Sequence, residues 1–247
     1  MSAKLWDTSK DGSIEYRSLT NDQLEGGMNV MRNSFFIDEK VCIGVELSKH
    51  PGAATELEEL CLRAARDGVS LIAIEKDTGK VVGVSFNKLQ VKTDGQEAYF
   101  KQYAENCKYA SSKALVQFMN DADAVVDIFE LSNAKCLLEL MFLAVLPDYR
   151  NRGIGRRLCE LTFQLGRELM SGKNVKTSLD DKPLPLEPVP TVASAIFTAT
   201  ISQELGRKLG FVRAVEISYE KFMFEGKSFA SRIGPDTPNT TVEYKLL

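Results

Sequence analysis

Residues 145–157 read VLPDYRNRGIGRR: an apolar run stops at Pro147, passes through arginines and two glycines, and enters a second apolar stripe. A strand that ends this way and turns through Arg150-Asn151-Arg152-Gly153-Ile154-Gly155-Arg156 into a helix has a definite physical consequence. The first-turn N–H groups of that helix have no intrahelical partners and point outward beside the positive end of its dipole. Gly153 and Gly155 permit unusual φ angles and close approach of a ligand to the backbone. Arg150, Arg152 and Arg156 add positive field, and the whole suits a phosphate or pyrophosphate. The plainer alternative is a glycine-bearing turn with solvated arginines.

Two familiar phosphate loops do not fit. The chain contains no GxxxxGK[ST] run, and a dinucleotide-binding GxGxxG would need glycine where Leu158 stands. The pattern that fits is Arg-x-x-Gly-x-Gly after an apolar strand ending in Val-x-Pro.

Outward from this turn, CLLELMFLAV (136–145) is a continuous apolar run, as expected for a strand buried on both faces. Downstream, Leu158, Leu161, Leu165 and Leu169 recur at helical spacing. IEYRSLT (14–20) alternates like a strand, and Thr20 with Gln23 suggests a capping box for a helix carrying Leu24, Met28, Met31 and Phe35. That helix is expected to end near FFIDEKVCIG (35–44), and a second to follow Thr55 and stop at Gly68. Residues 70–90 read as a hairpin through Asp77-Thr78-Gly79-Lys80, and 97–123 as helical. SLDDKPLPLEPVP (178–190) holds four of the eight prolines and is expected to be a long surface loop. A further helix from about 199 to Lys208 stops at Gly210, and the tail supplies closing strands. The order predicts an α/β fold with a mixed sheet, as one domain over 1–247.

The 247 residues carry a formal charge of −3, which argues against a nucleic-acid partner. No run approaches the ~18–20 apolar residues of a membrane span, and MSAKLWDTSKDGS lacks a signal-peptide core. A cytoplasmic monomer is the expectation. The five cysteines are scattered without a CxxC pair, so neither disulfides nor a metal site is expected. Cys136 and Cys159 read as packing residues. A single histidine, His50, lies in a loop-like SKHPG, so acid–base chemistry falls to carboxylates, hydroxyls or tyrosines.

LAVLPDYRNRGIGRRL resembles the acetyl-CoA-binding motif A of the GNAT superfamily of N-acetyltransferases, and ELGRKLGFV (204–212) resembles its closing helix and strand. Within that superfamily, FFIDEKVCIG is similar to the F-F-x-x-E-P-L-N segment of insect arylalkylamine N-acetyltransferases of the dopamine type. ATISQELGRKLGF (199–211) is similar to their serine-bearing helix. Two positions depart from the pattern: Lys40 replaces the family proline, and Thr198 stands at a position that is often serine.

The resemblance implies a GNAT fold: a mostly antiparallel sheet flanked by helices, with one parallel strand pair splayed apart. Acetyl-CoA would lie in the splay, its pantetheine arm along the backbone of Leu143, Ala144 and Val145. Its pyrophosphate would sit on the N–H groups of Arg150, Asn151, Arg152, Gly153, Ile154, Gly155 and Arg156. An alkylamine of pKa ~10.4 arrives protonated, so attack on the thioester requires a base. Glu39 is the carboxylate the resemblance indicates, with Asp38 one register away as rival; the role requires burial beside Phe35, Phe36 and Val41. Backbone N–H groups of 136–145 would hold the oxyanion. Ser202 or Thr198, placed one helical turn apart, would protonate the leaving thiolate, unless they merely cap a helix. Tyr149 is set aside as an acid.

The implied reaction is acetylation of a small arylalkylamine in a ternary complex. A polyamine or agmatine-type acceptor is the alternative, attracted by Asp180 and Asp181 in the proline-rich loop and disfavoured by Lys40. A protein substrate is less favoured because the loop could cover a peptide groove. A non-catalytic acyl-CoA-binding module is the remaining alternative.

Overall fold

The computed structural model describes residues 3–92, 96–180 and 182–247. In chain order the elements are β1 (Leu5–Thr8), β2 (Ile14–Ser18), α1 (Asn21–Val30), α2 (Phe36–Asp38), α3 (Lys40–Gly44), α4 (Pro51–Ala65), β3 (Leu71–Glu75) and β4 (Val81–Val91). Next come α5 (Gln96–Asn106), α6 (Ala110–Asp123), α7 (Ile128–Ser132), β5 (Cys136–Val145) and α8 (Ile154–Met170). The chain closes with β6 (Val192–Phe197), α9 (Thr200–Leu209), β7 (Val212–Ser218), β8 (Met223–Phe224), β9 (Lys227–Ser228), α10 (Phe229–Ile233) and β10 (Asn239–Leu246).

Eight strands form one sheet in the order β1-β2-β3-β4-β5-β6-β10-β7, and its pairings are antiparallel except that of β5 with β6. That parallel pairing covers only Leu137↔Val192, Leu138↔Ala193 and Glu139↔Ser194. Beyond it β5 runs on to Val145 and β6 to Phe197 without pairing to each other, so the sheet opens into a cleft at its centre. This is the mixed, mostly antiparallel α/β fold with a splayed parallel pair.

Helices cover both faces. On one, α1 lies on β4, where a Cβ at Gly27 would stand 3.4 Å from Phe86 and 3.5 Å from Val84. On the other, a Cβ at Gly83 would stand 3.0 Å from Ile154 of α8. The stripe expected on α8 faces the sheet, with Leu158, Leu161, Leu165 and Leu169 each 0% exposed. Truncating one of them to alanine would cost about 2–5 kcal/mol through lost burial and a cavity.

Several boundaries differ from the sequence reading, each for a local reason. Thr20 does stand at the N-cap of α1, but its side chain makes no capping bond and only its carbonyl accepts, from Gln23 N–H at 3.1 Å. The helical run ends at Asp38, within 35–44 as expected, but it is not one regular helix. Met31–Phe35 forms a wider π turn, in which Phe36 N–H reaches back to Met31 O, and α2 and α3 follow. α4 begins at Pro51, four residues before Thr55, because proline favours the first helical position and needs no N–H partner there. His50 is the exposed residue before it.

The segment 178–190 is irregular, as expected, but it is not draped over the open cleft. Thr177 N–H donates to Gly68 O at 2.9 Å and Thr191 N–H to Cys136 O at 3.2 Å, which anchors the segment at the closed end of β5. At ~3.3 Å per residue, that end is roughly 30 Å from the arginine turn. Asp181 lies outside the described residues. No helix among the described residues is long and apolar enough to cross a membrane.

Candidate active site

The turn after β5 is built as an open cradle. Pro147–Tyr149 forms a short 3-10 turn, Asn151 takes φ +61°, and Gly153 takes φ +76° as the N-cap of α8. The left-handed φ at Gly153 explains the glycine, since a side chain there is strained whatever the space. A Cβ on Gly155 would stand 3.8 Å from both Leu143 Cδ2 and Val145 Cγ2, so this glycine faces the open half of β5. Arg150 N–H is engaged with Pro147 O at 3.2 Å, and Arg157 N–H makes the first bond of α8, to Gly153 O at 3.0 Å. The N–H groups without a partner among the described residues therefore run from Asn151 to Arg156 and leave out Arg150. This donor set, with glycines at its close approaches, fits a pyrophosphate.

The arginine side chains are not a loose rim. Arg150 Nη2 pairs with Asp38 Oδ2 at 2.7 Å and donates to Ser34 Oγ at 2.8 Å, while its Nε donates to Val145 O at 3.2 Å. Arg152 Nη2 donates to Ser13 Oγ at 2.9 Å. Arg156 pairs with Glu160 at 2.9 Å, and Arg157 with Asp7 at 2.6 Å and Glu160 at 3.0 Å. Tyr149 hydroxyl donates to Glu75 Oε1 at 2.8 Å, a bond that, ahead of burial, raises the phenol pKa and fixes Tyr149 as a strut.

Along β5, Leu146 N–H donates to Val82 O at 2.9 Å across β4. Strand alternation then points the backbone groups of Ala144 toward β4 and those of Leu143 and Val145 into the cleft. Of the three residues expected along the pantetheine arm, Leu143 and Val145 thus offer polar groups and Ala144 does not. Val145 O already accepts from Ser34 Oγ at 3.0 Å. A β-bulge marks the mouth of the splay: Phe86 pairs with Phe142 and Asn87 with Leu140, so Met141 is the extra residue. Such a bulge leaves backbone N–H unpaired.

Glu39 stands at the N-cap of α3, and its Oε2 accepts from Cys42 N–H at 2.8 Å. Its other oxygen, Oε1, is buried with no hydrogen-bond partner among the described residues. Asp38, by contrast, is exposed and engaged with Arg150. The two neighbours therefore have different fates: one carboxylate is a tether and the other has an unsatisfied buried oxygen. Phe35 packs edge-on against Phe36 at 6.0 Å and against Phe142 of β5 at 5.4 Å, which seats the Glu39 segment on the cleft wall. Burial, and then the charge and hydrogen bond of Glu39, push the Cys42 thiol pKa well up.

The two hydroxyl residues do not share a helix face. Thr198 precedes α9, in the extended link from β6, whereas Ser202 lies in its first turn. Ser202 Oγ donates to Ala199 O at 2.8 Å and accepts from Ala199 N–H at 3.2 Å, a capping arrangement. Thr198 gives its carbonyl to Tyr219 hydroxyl at 2.7 Å and leaves its own hydroxyl unbonded among the described residues. Tyr219, fully buried, had no signal in the sequence, since it follows a strand in an ordinary polar stretch. Its pKa is pushed up by burial first and by the charge of Glu39 second. Cys136 and Cys159 are buried thiols pushed up to about 12 by burial, which suits packing and not nucleophilic attack.

Solved structures of the same architecture include arylalkylamine N-acetyltransferase 2 from Aedes aegypti, 22% identical over 94% of this chain and 98% of that one, with a TM-score of 0.75. An agmatine N-acetyltransferase S171A mutant is 17% identical over 95% and 100%, with a TM-score of 0.74. A polyamine N-acetyltransferase from Drosophila melanogaster that forms N-acetylagmatine is 16% identical over 95% and 100%, with a TM-score of 0.70. No curated protein sequence matches the chain. The family model described as acetyltransferase (GNAT) family matches residues 43–183, which span the hairpin, the central strand, the arginine turn and α8. With more than half of its length matched there, and with the open cleft and helix-terminus cradle that such transfer requires, the chain belongs to the acetyltransferase (GNAT) family.

Proposed function

We propose that this chain transfers the acetyl group of acetyl-CoA to the primary amine of a small arylalkylamine of the dopamine, tyramine or serotonin type, by direct attack in a ternary complex. The observation that carries this reading is Glu39 Oε1, a buried carboxylate oxygen without a partner on the wall of the cleft. A buried acceptor is costly unless a ligand or water supplies its donor, and an incoming ammonium group is such a donor. The aromatic wall of Phe35, Phe36 and Phe142 beside it favours an aromatic acceptor.

In this mechanism Glu39 takes a proton from the ammonium, and the freed amine attacks the thioester carbon. As the C–N bond forms, the oxyanion is held by a backbone N–H at the Met141 bulge. Collapse breaks the C–S bond; the thiolate takes the Thr198 proton while the Thr198 oxygen takes the second proton of the attacking nitrogen. This leaves a neutral amide, a free thiol and an intact hydroxyl, one that is unengaged where that of Ser202 caps a helix. The Asn151–Arg156 amides hold the pyrophosphate, and Leu143 and Val145 hold the pantetheine arm.

An aliphatic diamine or agmatine-like acceptor is the second reading. Glu139 favours it, a carboxylate buried at the closed end of the cleft where β5 still pairs with β6. A panel of aryl and aliphatic amines with thiol release as readout separates the two, and turnover of none would leave only a module that binds acyl-CoA. Glu39→Gln should retain acetyl-CoA affinity while kcat falls about 100-fold. Unchanged turnover would remove Glu39 as the base.

A further inference from the structure

The far wall of the cleft ends in two consecutive carbonyls, and a buried hydroxyl holds each. Thr240 Oγ1 donates to Phe197 O at 3.2 Å, and Tyr219 hydroxyl donates to Thr198 O at 2.7 Å. Phe197 is the last β6 residue paired with β10, through Thr241, so the ladder has already stopped at Thr198. Side-chain hydroxyls continue it by one residue. Tyr219 can do this because its own backbone is fixed, with its N–H on Pro238 O at 3.0 Å. Its ring is clamped by Phe118 at 6.2 Å and Phe222 at 6.5 Å. We propose that Tyr219 is a positioning residue of the acetyl-transfer site: by holding the Thr198 carbonyl, its hydroxyl fixes the Thr198 side chain opposite Glu39. Because that proton is committed to Thr198, the phenol does not compete for Glu39 Oε1, which stays without a donor.

The inference rests on the proposed reading of the site, and phenylalanine is the variant that isolates it. Tyr219→Phe keeps the ring and its packing and removes only the hydroxyl. We expect unchanged acetyl-CoA affinity by calorimetry, with kcat for the best amine about tenfold lower, since a small misplacement of a reacting group suffices. Thr198→Val should also lower kcat, and the double variant should be no worse than the poorer single one, because both act through the same hydroxyl. Wild-type kcat in Tyr219→Phe, wild-type kcat in Thr198→Val, or additive losses would each overturn the proposal. Hydrogen exchange of the free protein reads the same contact without any substrate. Residues 198–200 should exchange about tenfold faster in Tyr219→Phe. Unchanged exchange there overturns the proposal even if no amine is turned over. Faster exchange with no turnover by the wild type would instead count against the proposed function alone.

Discussion

Arg150 Nη2 lies 2.7 Å from Asp38 Oδ2, so the turn proposed to cradle the pyrophosphate is tied directly to the residue before Glu39. Both side chains are about two-fifths exposed, at 40% and 45%, and such a pair contributes only ~0.2–1 kcal/mol to stability. Its weight falls on geometry, because the same guanidinium also holds Ser34 Oγ and Val145 O. Arg150→Ala should therefore leave the melting temperature nearly unchanged and acetyl-CoA affinity within about threefold, while kcat/KM for the amine falls about tenfold. Arg150→Lys should not restore it, since an ammonium cannot span three acceptors in that fork. Steady-state kinetics with calorimetry decides.

The two glycines of the turn should fail in different ways. Gly153→Ala forces a side chain into a left-handed φ and should cost about 1–2 kcal/mol in denaturant unfolding. Gly155→Val is expected to leave stability within about 1 kcal/mol, because its Cβ meets only ordinary contacts at 3.8 Å. Its branches would occupy the groove beside Leu143 and Val145, and acetyl-CoA affinity should fall about tenfold, or ~1.4 kcal/mol.

Ser202→Ala removes a capping bond at the start of α9 and should cost about 1 kcal/mol of stability. Turnover should stay within about twofold, since that hydroxyl is engaged with Ala199. A large loss of kcat with full stability would reverse the roles assigned to Ser202 and Thr198.

Glu243 gives the protein a pH dependence away from the cleft. It is 3% exposed, and burial raises its pKa above the ordinary 4.5, partly offset by Thr241 Oγ1 at 2.8 Å and by Arg213. The folded chain keeps this proton to higher pH than the unfolded chain does. Stability is therefore lost as pH climbs above about 4.5 and regained on acidification. Glu243→Gln should melt higher than the wild type near pH 7.5 and no higher near pH 4, as calorimetry across that range would show.

The sequence carried the half of the site that local chemistry writes. Pro147, Gly153, Gly155 and the leucine stripe of α8 are punctuation that few alternatives satisfy; the central strand follows from its unbroken apolar run, and its opening from the family resemblance. The other half depends on partners distant in sequence. Arg150 meets Asp38 and Ser34, Arg157 meets Asp7, and Thr198 meets Tyr219, and no local pattern announces such pairs. β1, a short edge strand with mostly accessible residues, gave no periodicity to read. The spacing to Ser202 suggests a helical place for Thr198, but the chain is still leaving β6 there.

The π turn at Met31–Phe35 sets the angle at which the next segment leaves α1. A single residue advances an α-helix by about 100°, and the wider turn absorbs one such step between α1 and the segment bearing Asp38 and Glu39. Which of the two acids meets the arginine and which keeps its oxygen buried is thus recorded in the number of residues as much as in their identities. Deleting one residue from Met31–Phe35 is therefore expected to exchange the surroundings of Asp38 and Glu39.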